Sequence, residues 1–191
     1  MDRVRLEGYA FLAAFIACVP AANWLIGNLG TICVPQGPCL IPVAPSFGIS
    51  GGITAPSGVL MIGLALVLRD LVQRRLGKGW TLGAIAVGAA LSGLIAPPAL
   101  VMASAVAFLL SELADFAVYT PLQKRGLVRA VLLSSLVGLC VDSVVFLYLA
   151  FGSLDYLAGQ IIGKAWMVLL SIPVIRLLRD RDQRLGITAA A

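Results

Sequence analysis

Charged side chains inside apolar stretches are the residues of this sequence that could do chemistry. Glu112 and Asp115 lie in "SELADFAVY", Asp142 lies in "GLCVDSVVF" and Lys164 lies in "GQIIGKAWM". A charge within a hydrocarbon environment costs about 2.5–3.5 kcal/mol on insertion scales, so such residues face a protein interior and serve a pathway, a site or a structural pair. We expect these four to bind a ligand, to exchange protons or to pair with one another.

Three consecutive helices are predicted to carry polar residues at helical spacing. Residues three, four or seven apart fall on one face of a helix. The stripes are Glu112, Asp115 and Tyr119 on one helix, Ser135, Gly138 and Asp142 on the next, and Gln160 with Lys164 on the last. The spacing therefore predicts one common polar interior.

Two interpretations of the interior charges stay open. Lys164 could pair with Asp142 or Glu112 and only lock the helices together. Against this, three or four acids face one base, so at least two carboxylates remain for a ligand, water or protons. Asp70 follows Arg69 near the end of its apolar run, and it is either a coupling group or a structural balance for the basic residues around it.

The composition predicts that these residues are carried by membrane-spanning helices. The chain of 191 residues is 60% hydrophobic and 12% charged, with a mean hydropathy of +1.01, which is typical of integral membrane proteins. The fold class expected is all-α, with residues 1–191 as a single transmembrane domain. Six spans are predicted, at about residues 8–29, 58–76, 80–96, 99–119, 128–151 and 156–178.

The basic residues predict an orientation. With six spans, thirteen of the fourteen Lys and Arg residues, all except Lys164, fall on one side of the membrane. Lys and Arg are enriched in cytoplasmic loops, so both termini should be cytoplasmic, in a multi-pass protein of the inner membrane. The lipid bilayer is the expected partner of this basic chain, and nucleic acid is not.

The connection at residues 30–57 is rich in Gly and Pro and has no charged residue. It could be a re-entrant lid over a site, because irregular backbone at membrane depth needs protein or a water-filled cavity around it. It could equally be a loop on the outer surface. Cys33 and Cys39 lie in it on the oxidising side, so a disulfide between them is predicted.

Aromatic residues beside the polar ones are candidates for stacking on a planar ligand. Trp24 follows Asn23 in the first span, and Phe116 follows Asp115 in the fourth. The sequence has no histidine, no zinc-ligand spacing and no phosphate-binding Gly loop. We therefore expect neither an enzyme nor a cofactor or metal.

Four segments, in order and spacing, resemble the VUT family of vitamin uptake transporters. They are "APSGVLMIGLALVLRDLVQRRLG" (55–77), "SELADFAVYTPLQKR" (111–125), "SSLVGLCVDSVVFLYLAF" (134–151) and "GKAWMVLLSIPVI" (163–175). The resemblance implies a six-helix fold similar to the substrate-binding components of energy-coupling-factor transporters. It also implies uptake of a queuosine precursor, 7-cyano-7-deazaguanine or 7-aminomethyl-7-deazaguanine, for tRNA modification. The family's intramembrane charges correspond to Asp70, Asp115, Asp142 and Lys164.

A deazaguanine suits the predicted polar residues. Its N1–H and 2-amino group are adjacent donors that one carboxylate can accept, and its O6 is an acceptor that a lysine or amide can meet. The predicted acceptors are Glu112 or Asp115 together with Asp142, and the predicted donors are Lys164 and Gln160, with Asn23 and Trp24 contributing from the first helix.

Other functions also fit the sequence. A vitamin-binding subunit with a separate energising ATPase module would use the same pocket, and a non-transporting membrane scaffold would use the charges only to pair helices. The oligomeric state is left open, and a homodimer is compatible with the sequence.

Overall fold

A computed structural model describes residues 3–33, 38–45, 52–96 and 98–190. The described chain contains six α-helices, a three-stranded antiparallel sheet and one 3-10 turn, Pro98–Leu100. The helices are α1 (Arg3–Asn28), α2 (Val59–Leu76), α3 (Lys78–Ile95), α4 (Val101–Leu122), α5 (Leu127–Phe151) and α6 (Leu157–Leu185); the strands are β1 (Ile32–Cys33), β2 (Cys39–Ala44) and β3 (Ile53–Pro56).

Five of these helices are long and apolar enough to cross a membrane, within the described parts of the chain. The prediction of a helical, multi-pass membrane protein is confirmed at this level. The exception is α2, which carries the four charged residues Arg69, Asp70, Arg74 and Arg75 within its 18 residues. Its status as a span remains a prediction.

Helix α2 lies in the centre of the bundle. Its residues belong to all three apolar clusters of the core: Leu66 packs with α4, α5 and α6, Val72 packs with α1, α3 and α4, and Val59 packs with the sheet. Because the other helices enclose it, its charged residues meet protein instead of lipid. This explains how so polar a helix fits a membrane fold.

Helices α1 and α2 run antiparallel and in close contact. A Cβ added to Gly8 would lie 2.6 Å from the Leu76 side chain, and one added to Gly58 would lie 2.8 Å from the Ala22 carbonyl oxygen. A single residue, Gly77, then joins α2 to α3 with a φ of 86°. Only glycine adopts that conformation without strain, so it permits this tight reversal.

Ion pairs tie three helices together at one end of the bundle, which we call the basic end. Asp182 of α6 binds Arg74 at 2.7 Å and Arg75 at 2.9 Å, and Arg181 binds Glu7 of α1 at 2.6 Å. These contacts explain why α6 continues to Leu185, beyond its predicted end at residue 178. The orientation of this end toward the cytoplasm remains a prediction.

The opposite end, which we call the sheet end, is capped by the residues predicted to form an irregular loop. Strands β1, β2 and β3 pair in that order, both pairs antiparallel, so this segment departs from the all-helical prediction. Its apolar residues pack against the core: Val43 is buried, and its carbonyl oxygen accepts a 2.9 Å hydrogen bond from Trp166 of α6. Residues 34–37 and 46–51 of the predicted loop lie outside the described parts.

Cys33 and Cys39 stand opposite each other in the β1–β2 pair and form a disulfide, with their Cα atoms 3.9 Å apart. The bond links β1 to β2. Whether residues 30–57 enter the membrane stays a prediction.

Candidate functional site

The ammonium group of Lys164 is the centre of the first polar site. It donates to Asp142 Oδ2 at 2.6 Å, to Ser143 Oγ at 2.8 Å and to Gln160 Oε1 at 2.5 Å. A lysine ammonium has three donors, so every one of them is used. Lys164 is 1% exposed, and we call these four residues the Lys164 site.

Close helix packing fixes the position of Lys164. A Cβ added to Gly63 of α2 would lie 2.5 Å from the Lys164 carbonyl oxygen. Only glycine lets the two backbones approach this closely. The lysine side chain is thereby held against α5, where Asp142 and Ser143 are neighbours in sequence.

A cavity of about 70 Å³ opens beside this site toward the sheet end. Pro56 and Gly58, where β3 leads into α2, are among its lining residues, and the Lys164 site contributes three of its four residues. The side chains that matter for ligand chemistry are Asn23, Phe108, Asp142, Phe146, Gln160 and Lys164. We call it the sheet-end cavity.

Several polar atoms at the cavity keep capacity for a ligand. Asp142 Oδ1 accepts a long, 3.4 Å hydrogen bond from Ser111. The side-chain amide of Asn23 donates to the Val19 carbonyl at 3.0 Å, which leaves its oxygen as an acceptor. The Gln160 amide oxygen accepts from Lys164, which leaves its NH2 group as a donor. The cavity therefore offers acceptors and donors together.

Arg69 is the centre of the second polar site. Its guanidinium pairs with Asp70 at 2.5 Å and with Asp115, and its Nε lies 3.5 Å from Glu112 Oε2. Arg69, Asp70 and Asp115 are 0% exposed and Glu112 is 1% exposed. We call these four residues the Arg69 cluster.

Further side chains surround the Arg69 cluster. Ser134 of α5 donates to Asp70 Oδ2 at 2.8 Å, and Arg69 donates to Gln73 Oε1 at 3.0 Å. The Arg69 guanidinium also lies 5.5 Å from the Tyr119 ring centroid and 6.0 Å from that of Phe116. Helices α2, α4 and α5 thus all contribute to one enclosed group.

The residues predicted for one binding site are divided between two places. Asn23, Asp142, Gln160 and Lys164 line the sheet-end cavity. Glu112, Asp115 and Phe116 lie at the Arg69 cluster instead, together with Asp70. The single shared pocket is therefore corrected to two sites, because Arg69 draws the acids of α4 toward α2.

Trp24 also departs from the prediction. It is 61% exposed, and the cavity is lined by Phe108 and Phe146 instead. Helical geometry is the reason, since Asn23 points into the bundle and its sequence neighbour is rotated by about 100°.

Arg69 lies deeper in the bundle than its sequence context predicts. It was grouped with the basic residues at the membrane boundary, but it is completely buried. Two features of the sequence indicate that Arg69 is buried. Arg69 and Gln73 are four residues apart and share a helix face, and Arg69 follows an uninterrupted apolar run. Ser111 and Ser143, which adjoin Glu112 and Asp142 in sequence, were also missed.

Comparison with known families places this arrangement in context. Residues 94–178 match the family model described as "Putative vitamin uptake transporter". The resemblance to the VUT family is confirmed. The VUT match spans α4, α5 and most of α6, and it includes Glu112, Asp115, Asp142 and Lys164, whereas Arg69 precedes it. No curated protein and no solved structure matches the chain significantly.

Proposed function

We propose that this protein is an importer of a queuosine precursor, a 7-deazaguanine carrying a cyano or aminomethyl group, and that the ligand binds in the sheet-end cavity. The observation that carries the proposal is the lining of that cavity. It combines a carboxylate, an ammonium, two side-chain amides and two phenyl rings around one cavity. The VUT match supports the transporter class.

The cavity groups complement the edge of a deazaguanine. Asp142 can accept hydrogen bonds from N1–H and the 2-amino group, and Lys164 or the Gln160 amide can donate to O6. Phe108 and Phe146 can flank the flat ring, because aromatic rings favour offset-stacked or edge-to-face contacts. Each recognition element in the proposal is thus a residue that lines the cavity.

Binding in this way requires rearrangement. The three donors of Lys164 are all in use, so a contact with O6 replaces one of them. A cavity of about 70 Å³ is also small beside the roughly 300–1,000 Å³ of typical ligand sites. We infer that the ligand widens the cavity and draws Lys164 from Asp142.

Direct binding to the purified full chain in detergent tests this proposal. We expect saturable binding of 7-cyano-7-deazaguanine, and we expect Asp142→Asn to weaken it by roughly tenfold to a hundredfold, the equivalent of about 1.5–3 kcal/mol for a charged hydrogen bond. Phe146→Leu should also weaken it, whereas Trp24→Leu, which alters an exposed aromatic, should not. Equal affinity in all variants would contradict the site.

Uptake in cells unable to make the precursor tests transport itself. Cells carrying the protein should recover queuosine in tRNA when the precursor is supplied, and Asp142→Asn cells should not. Binding of a carboxylated vitamin in place of the deazaguanine, with co-purification of an ATPase, would instead establish the vitamin-binding subunit. Absence of binding by every one of these ligands would favour the scaffold.

The location and orientation of the protein in the membrane call for an experiment of their own. We propose the inner membrane, with the basic end in the cytoplasm, as the positive-inside rule predicts. Labelling of a cysteine introduced near residue 190 only after the membrane is permeabilised would agree with this orientation.

A further inference from the structure

The Arg69 cluster contains more negative charge than it can neutralise. One guanidinium lies within ion-pair distance of the carboxylates of Asp70, Glu112 and Asp115. All four side chains are enclosed. Three ionised carboxylates would leave two uncompensated charges, and a buried uncompensated charge costs several kcal/mol. A proton on a carboxylate removes that cost.

The distances single out one carboxylate. Asp70 approaches Arg69 at 2.5 Å and also accepts from Ser134 at 2.8 Å. Asp115 forms a direct ion pair with the same guanidinium nitrogen. Among the described residues, one oxygen of each acid lacks a hydrogen-bond partner: Asp70 Oδ1, Asp115 Oδ2 and Glu112 Oε2. Glu112 differs in its distance from the guanidinium, which is 3.5 Å. The negative charge of Glu112 is therefore the least compensated by Arg69.

Neighbouring groups reinforce the case for a proton. The hydroxyl groups of Tyr119 and Ser135 are buried and lack partners among the described residues, and the Tyr119 ring lies 5.5 Å from Arg69. Buried polar groups normally have partners, so these two hydroxyls are free to form hydrogen bonds with a protonated or ionised neighbour.

The cluster connects the two ends of the bundle. Toward the basic end, Gln73 accepts from Arg69 and donates to Thr120 Oγ1 at 3.0 Å. Thr120 lines a cavity of about 750 Å³ that also contains Arg74, Lys78 and Lys124. Toward the sheet end, Ser111 precedes Glu112 in sequence and donates to Asp142, which lines the sheet-end cavity. Side-chain contacts thus link Glu112 through Arg69, Gln73 and Thr120 to the cavity at the basic end, and the residue before Glu112 in sequence contacts Asp142 on the other side.

The charged and titratable groups facing Glu112 come from several helices. Arg69 and Asp70 lie on α2, Asp115 lies on α4 and Asp142 lies on α5, all within electrostatic range of Glu112. Tyr119 of α4 lies near Arg69 and Asp70. Cys18 is the titratable group of α1 within electrostatic range of Glu112, and Lys164 of α6 pairs with Asp142.

We propose that Glu112 is the proton-binding residue that couples ligand binding to proton uptake. The proposal rests on the importer function above. When the ligand draws the ammonium of Lys164 from Asp142, the negative charge of Asp142 is less compensated, and the repulsion between Asp142 and Glu112 grows. Glu112 then takes up a proton, its carboxylate becoming a carboxylic acid with no change of redox state. By linkage, lower pH should tighten binding.

Infrared spectroscopy tests the proton site without any ligand. The full chain in detergent should show the C=O band of a buried protonated carboxylic acid that grows as pH falls. The band should be absent in Glu112→Gln, which has the size of the protonated acid and no charge. Asp180→Asn, at an exposed ion pair, is the matched control and should leave the band unchanged. A band that persists in Glu112→Gln, or no band at all, would overturn the assignment.

Calorimetry tests the coupling. Titration of 7-cyano-7-deazaguanine into the full chain, in two buffers of different ionisation enthalpy, should reveal uptake of up to about one proton per ligand and up to about tenfold tighter binding per unit fall in pH. Glu112→Gln should bind the ligand without proton uptake. Binding by the unaltered chain without proton uptake would overturn the coupling alone. Failure of the ligand to bind would overturn the proposed function, and the infrared result would still decide the proton site.

Discussion

The Lys164 site and the Arg69 cluster are two buried charge centres with opposite balance. Lys164 faces one carboxylate, that of Asp142, and lies beside a cavity. Arg69 faces three carboxylates and is fully enclosed. The first is neutral when both partners are ionised, whereas the second carries a surplus of negative charge.

This difference indicates separate roles. A balanced pair next to a cavity can exchange its partners for those of a ligand, because the ligand replaces the hydrogen bonds that it breaks. A sealed cluster with surplus charge has no room for a ligand but can accept a proton. We infer that recognition belongs to the Lys164 site and coupling to the Arg69 cluster.

Removal of Arg69 should produce the largest loss of stability among the variants compared. In Arg69→Met, three buried carboxylates lose their cation, and we expect the free energy of unfolding to fall by about 3–5 kcal/mol. Denaturant unfolding in detergent would measure this. Arg179→Met breaks an exposed pair and should cost about 0–1 kcal/mol. Similar losses in the two variants would remove the distinction between a buried cluster and a surface pair.

Removal of Lys164 should have a smaller effect on stability. Only one carboxylate, Asp142, is left unpaired in Lys164→Met, and it borders the cavity, where water can solvate it. The double variant with Asp142→Asn should recover part of the loss, with a coupling of about 0.5–3 kcal/mol. Ligand affinity should stay low in all three variants. Strictly additive losses would show that the pair is not coupled.

Two glycines offer a comparison of packing behind the two sites. In Gly63→Ala, the new Cβ would meet the Lys164 carbonyl oxygen at 2.5 Å, a backbone atom that cannot move aside. In Gly138→Ala it would meet the Leu66 side chain at 2.7 Å and Asp115 Cβ at 3.1 Å. We expect a loss of about 1–3 kcal/mol in unfolding free energy at Gly63 and a smaller one at Gly138.

Gly83→Ala is the control for this comparison, because a Cβ there would meet nothing within 4 Å. It should be neutral or slightly stabilising, since alanine is the better helix former. Ligand affinity should fall in Gly63→Ala alone. A fall in Gly138→Ala as well would mean that the two sites are less separate than the geometry indicates.

The smallest loss of stability is expected at the Gln73–Thr120 hydrogen bond, which connects the Arg69 cluster to the basic end. Thr120→Val removes the acceptor of the Gln73 amide and should cost about 0.5–1.5 kcal/mol in unfolding free energy. Because Thr120 is remote from the sheet-end cavity, ligand affinity at fixed pH should not change. Slower proton exchange in stopped-flow measurements with a pH indicator would support the connection. Ser171→Ala, which removes a hydroxyl bonded within α6, is the control.

The helical fold could be predicted from the sequence because lipid imposes length and apolarity on each span. The six predicted segments correspond to the six helices, and α2 differs in that its charges place it among the other helices. The sheet at residues 32–56 could not be predicted, because its short strands are separated by many Gly and Pro residues and derive their stability from packing on α6 and α1. The pairing of Cys33 with Cys39 follows from proximity in sequence, which the β1–β2 register permits.

The sequence alone determined which residues form the polar interior. Its rare charges within apolar runs, Glu112, Asp115, Asp142 and Lys164, marked the polar interior, since each is too costly to keep in lipid without a partner. The assignment of partners was decided only by the tertiary structure. Arg69 looked like a boundary residue, and the approach of α2 to α4 and α5 buried it among three acids, because ion pairing depends on distances between helices that no spacing within one helix encodes.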